Sequence, residues 1–215
     1  MLPPTIRRGI RACLDEVRLR RAIWALLRVP VGKRPPDVAL VELQRAWGNE
    51  GFVAKAEYIA EVVDQLLVTP GPILECGSGL TTLLVAALAG RRGVKGWSLE
   101  HHREWRHKVT RAARRIAPTV TVVHAPLRRY SDFEWYAPSA ELPGDFRLVI
   151  CDGPPGTTLG GRFGLVPVMG KSLSPTATIL LDDAHRDDEQ AIMARWAHAG
   201  WRVEMRGTYA VLRKS

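Results

Sequence analysis

Apolar and polar positions change period several times along the chain, and each change marks an element. From residue 70 onward, short apolar runs alternate with stretches of helical spacing. Residues 73–76 predict a first strand, 80–88 a helix stopped by Gly90, and 94–100 a second strand. Trp105, Val109, Ala112 and Ile116 mark a helix that Pro118 terminates, before a third strand over 119–124. A fourth strand is expected over 147–152, a short helix over 164–173 and a fifth strand over 176–181. A helix over 187–199 leads to two final strands, 201–206 and 208–212, with no helix between them. Strand–helix alternation of this kind predicts an α/β fold: a Rossmann-like, doubly wound sheet of seven strands, mostly parallel with an antiparallel final strand, with helices on both faces.

The first 70 residues follow a different pattern. Ile6, Ile10, Leu14, Val17, Trp24 and Leu27 recur at helical spacing with arginines between them, and Pro30 ends the run. Lys33-Arg34-Pro35-Pro36 reads as a linker. A second helix is expected over about 51–67, preceded by the loop Trp47-Gly48-Asn49-Glu50-Gly51. The organisation read from these patterns is a basic amphipathic arm over 1–34, a cap segment with a helix over 35–70, and a Rossmann-like domain over 71–215.

Charge sharpens that division. The chain of 215 residues carries a formal charge of +9. Residues 1–34 hold nine Lys/Arg against Asp15 and Glu16, so most of the excess belongs to the arm. Packing on the body is the commonest role for such a helix. An anionic membrane surface or a protein partner would suit the same pattern. A polyanion-binding face on the body is not required by the net charge. Apolar runs such as 22–27 are too short to span a bilayer, and arginines break up any signal-peptide shape, which predicts a cytoplasmic protein. Three cysteines without C-x-x-C spacing indicate neither a metal knuckle nor a disulfide framework.

In open α/β sheets ligands bind beyond the carboxyl ends of the strands. Those ends collect the ionisable residues of the chain. Strand one ends in Glu75-Cys76-Gly77-Ser78-Gly79, a glycine turn feeding a helix, where backbone N–H groups and a positive helix end converge. Strand two ends in Glu100-His101-His102, and dinucleotide folds place a ribose-binding acid at a comparable point. Strand four ends in Cys151-Asp152-Gly153-Pro154-Pro155 and strand five in Asp182-Asp183-Ala184-His185.

This layout, from about residue 47 to 215, resembles the class I S-adenosylmethionine-dependent methyltransferases. The likeness rests on Leu74–Gly79, Glu100, Asp152 and the closing strand pair. It implies S-adenosyl-L-methionine as cofactor, with Glu75, Gly77, Ser78 and Gly79 under its methionine and ribose part. It also implies Glu100 with His101 at the ribose hydroxyls, Ala125 beside the adenine, and Thr81 toward the cofactor carboxylate. Position 125 is often polar in that family; with Ala there, an adenine contact falls to the backbone.

The acids after strands four and five are similar to those of the metal-dependent, catechol-type O-methyltransferases. Three carboxylates at one edge repel, and Mg²⁺ or another divalent cation bound by Asp152, Asp182 and Asp183 would relieve that repulsion. A metal-bound hydroxyl of a small-molecule acceptor would lose its proton more readily. Those enzymes carry a lysine three residues beyond the strand-four Asp; here Pro155 stands there, leaving His185 as the candidate base beside Asp152. Without a metal, the same acids could form an ion-pair network, Asp182 pairing with Arg186. The segment 156–163 is glycine-rich and placed to act as a lid or as a plain connection, and Arg162, Trp135 and Tyr136 are candidates to line the acceptor pocket.

Three other functions compete, of which an NAD-type Rossmann oxidoreductase is disfavoured by the two-glycine loop and the final strand pair. Amine methyltransferases, including those acting on RNA, carry Asn/Asp-Pro-Pro followed by an aromatic. Asp152-Gly153-Pro154-Pro155 departs from that pattern, while the basic stretch Arg103–Arg115 leaves RNA an open alternative. A non-catalytic module bound to a membrane or partner through the arm is the third.

Overall fold

The computed structural model describes residues 4–48, 54–138 and 141–214. The chain divides between residues 53 and 54 into two units. In the first, helix α1 (Pro4–Arg28) packs against α2 (Asp37–Trp47). The expected 35–70 segment is thereby divided, because α2 groups with α1 whereas helix α3 (Ala56–Val68) groups with the sheet. Leu14, Val17 and Trp24 on α1 are exposed, and the Arg28 guanidinium lies 3.5 Å over the Trp24 ring. Among the described residues, no helix is long and apolar enough to cross a membrane. Residues 49–51 of the Trp47–Gly51 loop lie outside the described residues.

The second unit is built on a seven-stranded sheet. Its strands are β1 (Ile73–Cys76), β2 (Gly96–Glu100), β3 (Val120–His124), β6 (Phe146–Cys151), β7 (Leu173–Leu181), β8 (Trp201–Arg206) and β9 (Tyr209–Lys214). They lie in the order β3-β2-β1-β6-β7-β9-β8, all parallel except β9. All four residues of β1 are buried, as a central parallel strand covered on both faces requires. The chain leaves from β1 toward one edge and returns to build the other from β6, so the switch point falls between β1 and β6. Their register pairs Cys76 with Cys151 and Cys76 with Leu99, and Cys151 pairs with Leu181. The parallel strands therefore end nearly flush. Glu75, Glu100, Asp152 and Asp182 come to one edge. Cys76 and Cys151 are buried free thiols in the core.

Several local expectations change. Gly90 does not end the helix after β1. That helix, α4 (Leu80–Leu84), widens into a π turn over Val85–Ala89 and tightens through Gly90–Arg92, and Gly93 at φ 82° ends it. A Cβ on Gly90 would stand 2.5 Å from Thr119 Oγ1, so that glycine serves close packing. Between β3 and β6 lies a hairpin, β4 (Leu127–Arg129) with β5 (Glu134–Tyr136). Strands of three residues are too short to show a two-residue period. Helix α5 (Arg103–Arg114) follows β2, α6 (Leu165–Met169) precedes β7, and α7 (Asp187–His198) precedes β8.

Candidate active site

On the β1–β2 side, each acid is held by neutral donors. Glu75 is buried, with Thr81 Oγ1 donating to Oε1 and Thr82 Oγ1 to Oε2 at 2.6 Å. Thr82 Oγ1 also accepts from Gly79 N at 2.9 Å. Glu75 is thus a brace that ties strand, turn and helix together. Burial pushes its carboxyl up to about 7 against the pull of these hydroxyls. Thr81 has its hydroxyl engaged by Glu75 and so does not present it to a cofactor carboxylate.

Glu100 closes β2 and is 4% exposed. Its Oε2 accepts from Ser78 N at 3.2 Å and Ser78 Oγ at 2.7 Å, and its Oε1 accepts from His102 N at 2.7 Å. His101 Nδ1 lies 3.2 Å from the same Oε1. Burial alone would raise this carboxyl. The groups of His101, His102 and Ser78 outweigh it and hold the carboxyl below its ordinary value. Glu100 is therefore an ionised acceptor beside the glycine turn. Gly77 stands at φ 88°, and a Cβ there would meet Gly153 N at 3.0 Å, whereas a Cβ on Gly79 would meet nothing within 4 Å. The first glycine lets the turn approach the β6 loop. The second opens onto free space. Ala125 is buried, and its N–H donates to Glu100 O at 2.8 Å, so only its carbonyl remains for an adenine contact.

On the β6–β7 side the acids meet a cation from the chain itself. Asp152, Asp182 and Asp183 each bring an oxygen within 4.8 Å of the others. Arg162 reaches into this group with its side chain 3% exposed. Its Nη2 lies 3.3 Å from both Asp152 Oδ1 and Asp183 Oδ2 and donates to Asp152 O at 2.9 Å. Its Nη1 donates to Asp182 O and lies 3.6 Å from Glu189 Oε1. Arg186 pairs with Asp183 at 3.0 Å, rather than with Asp182. Asp183 adopts φ 55°, a left-handed conformation that Asp tolerates, and its N–H donates to Asp182 Oδ1 at 2.8 Å. Burial raises the Asp152 carboxyl to about 8; Arg162 opposes the rise and the neighbouring aspartates add to it. Asp182 and Glu189 are raised for the same first reason.

The three acids stand close enough to share an ion, but Arg162 competes for two of them. Nη2 lies beside Asp152 Oδ1 and Asp183 Oδ2, so a divalent cation held there would meet a fixed positive charge. His185 does not join the group. It is exposed, and its Nδ1 lies 3.3 Å from Thr208 O in the β8–β9 turn.

The 156–163 loop is built as a fixed strut. Consecutive turns bond Thr158 N to Pro155 O, Gly161 N to Thr158 O and Phe163 N to Gly160 O, and Glu134 N donates to Leu159 O at 2.8 Å. Gly160 and Gly161 adopt φ 74° and 53°, and a Cβ on Gly160 would stand 2.6 Å from Phe133 Cβ. Glycine here serves backbone shape and close approach, and the result delivers Arg162 inward. Tyr136, from the hairpin the sequence pattern did not reveal, is buried with no hydrogen-bond partner for its Oη among the described residues. That hydroxyl stands 2.5 Å from where a Cβ on Gly153 would be, at the seam between the two halves of the site.

No protein-family model and no curated protein matches the sequence. Solved structures do match. SAH-bound methyltransferase PaMTH1 of Podospora anserina aligns with a TM-score of 0.58 at 16% identity, covering 100% of this chain and 98% of its own. An O-methyltransferase from Bacillus cereus in complex with SAH gives 0.57 at 13%, covering 84% and 92%. Precorrin-6y C5,15-methyltransferase from Geobacter metallireducens GS-15 gives 0.56 at 18%, covering 76% and 90%. With the same sheet built around β1 and β6, the second unit of this chain has the Rossmann-like fold of these methyltransferases.

Proposed function

We propose that the chain is an S-adenosylmethionine-dependent methyltransferase that acts on a hydroxyl of a small-molecule acceptor. The observation that carries the reading is Glu100: a buried carboxylate kept ionised at the tip of β2, directly against the glycine turn of β1. Its Oε1 accepts the His102 N–H and lies 3.2 Å from His101 Nδ1, so a ribose hydroxyl would share this oxygen with His101. Gly77 and Gly79 keep the floor of the site free of side chains, and Ala125 walls the end of β3.

When bound, S-adenosylmethionine supplies a methyl group already activated on a sulfonium. The chain then has to position the acceptor and receive a proton. Asp152, with its side chain 29% exposed, lies one residue beyond β6 and across the seam from Gly77. A carboxyl raised to about 8 suits exchange of a proton with a hydroxyl near neutral pH. Asp152 is thus the proposed proton acceptor, in place of His185, and Arg162 keeps it oriented. No step is assigned to a metal.

Titration calorimetry of the full chain with S-adenosylmethionine tests the reading. Saturable binding that weakens in Glu100→Gln is expected. A chain that shows no heat with either S-adenosylmethionine or S-adenosylhomocysteine overturns it.

A further inference from the structure

We propose that Arg162 is the resident cation of the acceptor site, standing where a divalent ion would otherwise sit among Asp152, Asp182 and Asp183. The inference deepens the methyltransferase reading but rests on the geometry of the acids alone. A divalent ion bound by oxygens would need all three carboxylates turned to one point. The oxygens are close enough for that, within 4.8 Å of one another. Nη2 lies beside two of the three, 3.3 Å from both Asp152 Oδ1 and Asp183 Oδ2, while Nη1 donates to the Asp182 carbonyl.

Arg162 is not a surface side chain that happens to fold in. Its guanidinium donates to the backbone carbonyls of Asp152 and Asp182, the residues that follow β6 and β7. It therefore cross-links the two strand ends as well as neutralising the acids. Withdrawing it would break both links and would leave Glu189, whose side chain is 3% exposed, without its cation. The loop behind it, bonded turn by turn and packed on Phe133, holds the side chain in that position. A guanidinium and a divalent ion repel, and both cannot share one small cluster. A planar fork of donors also orients carboxylates in a way a spherical ion with exchangeable waters does not. Arg162 is accordingly a positioning residue, which fixes the side chain of Asp152 toward the seam.

Mn²⁺ titration of the full chain, followed by loss of the free-ion paramagnetic resonance signal, tests this. Wild-type protein is expected to take up no stoichiometric Mn²⁺. Arg162→Met is expected to gain one Mn²⁺ per chain, and Arg162→Met with Asp152→Asn to lose it again. Arg162→Lys, which retains the charge in a chain better able to fold, is expected to remain without Mn²⁺. Uptake of one Mn²⁺ by wild type that disappears in Asp152→Asn overturns the proposal, as does uptake by Arg162→Lys or a folded Arg162→Met that binds none. S-adenosylmethionine calorimetry on the same samples keeps the two readings apart: failure there removes the methyltransferase reading and leaves the cation result standing.

Discussion

The two halves of the sheet edge solve one problem in opposite ways. Each places carboxylates in buried or half-buried sites, which is costly unless every oxygen is satisfied. On the β1–β2 side, hydroxyls and backbone N–H groups satisfy Glu75 and Glu100 without adding charge. On the β6–β7 side, a buried guanidinium answers Asp152, Asp183 and Glu189. The difference has a chemical use. Neutral donors leave Glu100 a fixed, ionised acceptor, suited to holding hydroxyl groups. On the proposed reading, burial and then the neighbouring aspartates keep the Asp152 carboxyl at about 8, suited to moving a proton.

The comparison breaks most directly at Arg162. Arg162→Met should strand several buried acids and lower unfolding stability by about 3–5 kcal/mol, read from urea denaturation. A loss no larger than that of an exposed arginine such as Arg195 would mean that the β6–β7 acids need no internal cation. The seam between the halves comes next. Gly153→Ala places a methyl 2.5 Å from Tyr136 Oη and 2.9 Å from Gly77 Cα. A destabilisation of about 1–3 kcal/mol is expected. Adding Tyr136→Phe should recover part of it, and no recovery would mean that the backbone contact with Gly77 dominates.

On the cofactor side the effect should be on binding more than on folding. Glu100→Gln keeps the shape but loses the charge, and S-adenosylmethionine affinity is expected to fall roughly tenfold by calorimetry. The smallest effect is on pH dependence, where Glu100 acts against Asp152 and Glu75. The native Asp152 carboxyl, at about 8, holds a proton that the unfolded chain releases near pH ~3.9. Stability from this group therefore falls as pH rises between those values and then levels. Glu75, raised to about 7, acts in the same direction. Glu100, lowered, contributes stability above its unfolded value that is lost in acid as its native carboxyl protonates. The thermal midpoint should decline from mildly acid to mildly alkaline pH in wild type and decline less in Asp152→Asn. An unchanged slope in that variant would assign the dependence elsewhere.

The sheet was largely legible in one dimension because buried parallel strands need short apolar runs, and Ile73-Leu74 and Leu148–Cys151 supply them. Strand ends followed, since Glu75, Glu100, Asp152 and Asp182 each come directly at or after such a run. The hairpin that carries Tyr136 was not legible, because three-residue strands leave no period. Nor was the function of Gly90, Gly160 or Gly153, since a glycine chosen for close approach looks the same in sequence as one that ends a helix or hinges a lid.

What the sequence alone determined is the order of elements, the edge where chemistry gathers and the acids that reach it. These depend on local period and on turns, which neighbouring residues specify. Only the tertiary structure decided which acid meets which partner. His185 lies three residues from Asp182 in sequence, whereas Arg162 lies in the loop after strand four. Three-dimensional packing turned His185 outward toward Thr208 and brought Arg162 inward from a loop 20 residues earlier than Asp182. Charge pairing is a long-range matter of where loops return, and periodicity carries no record of it.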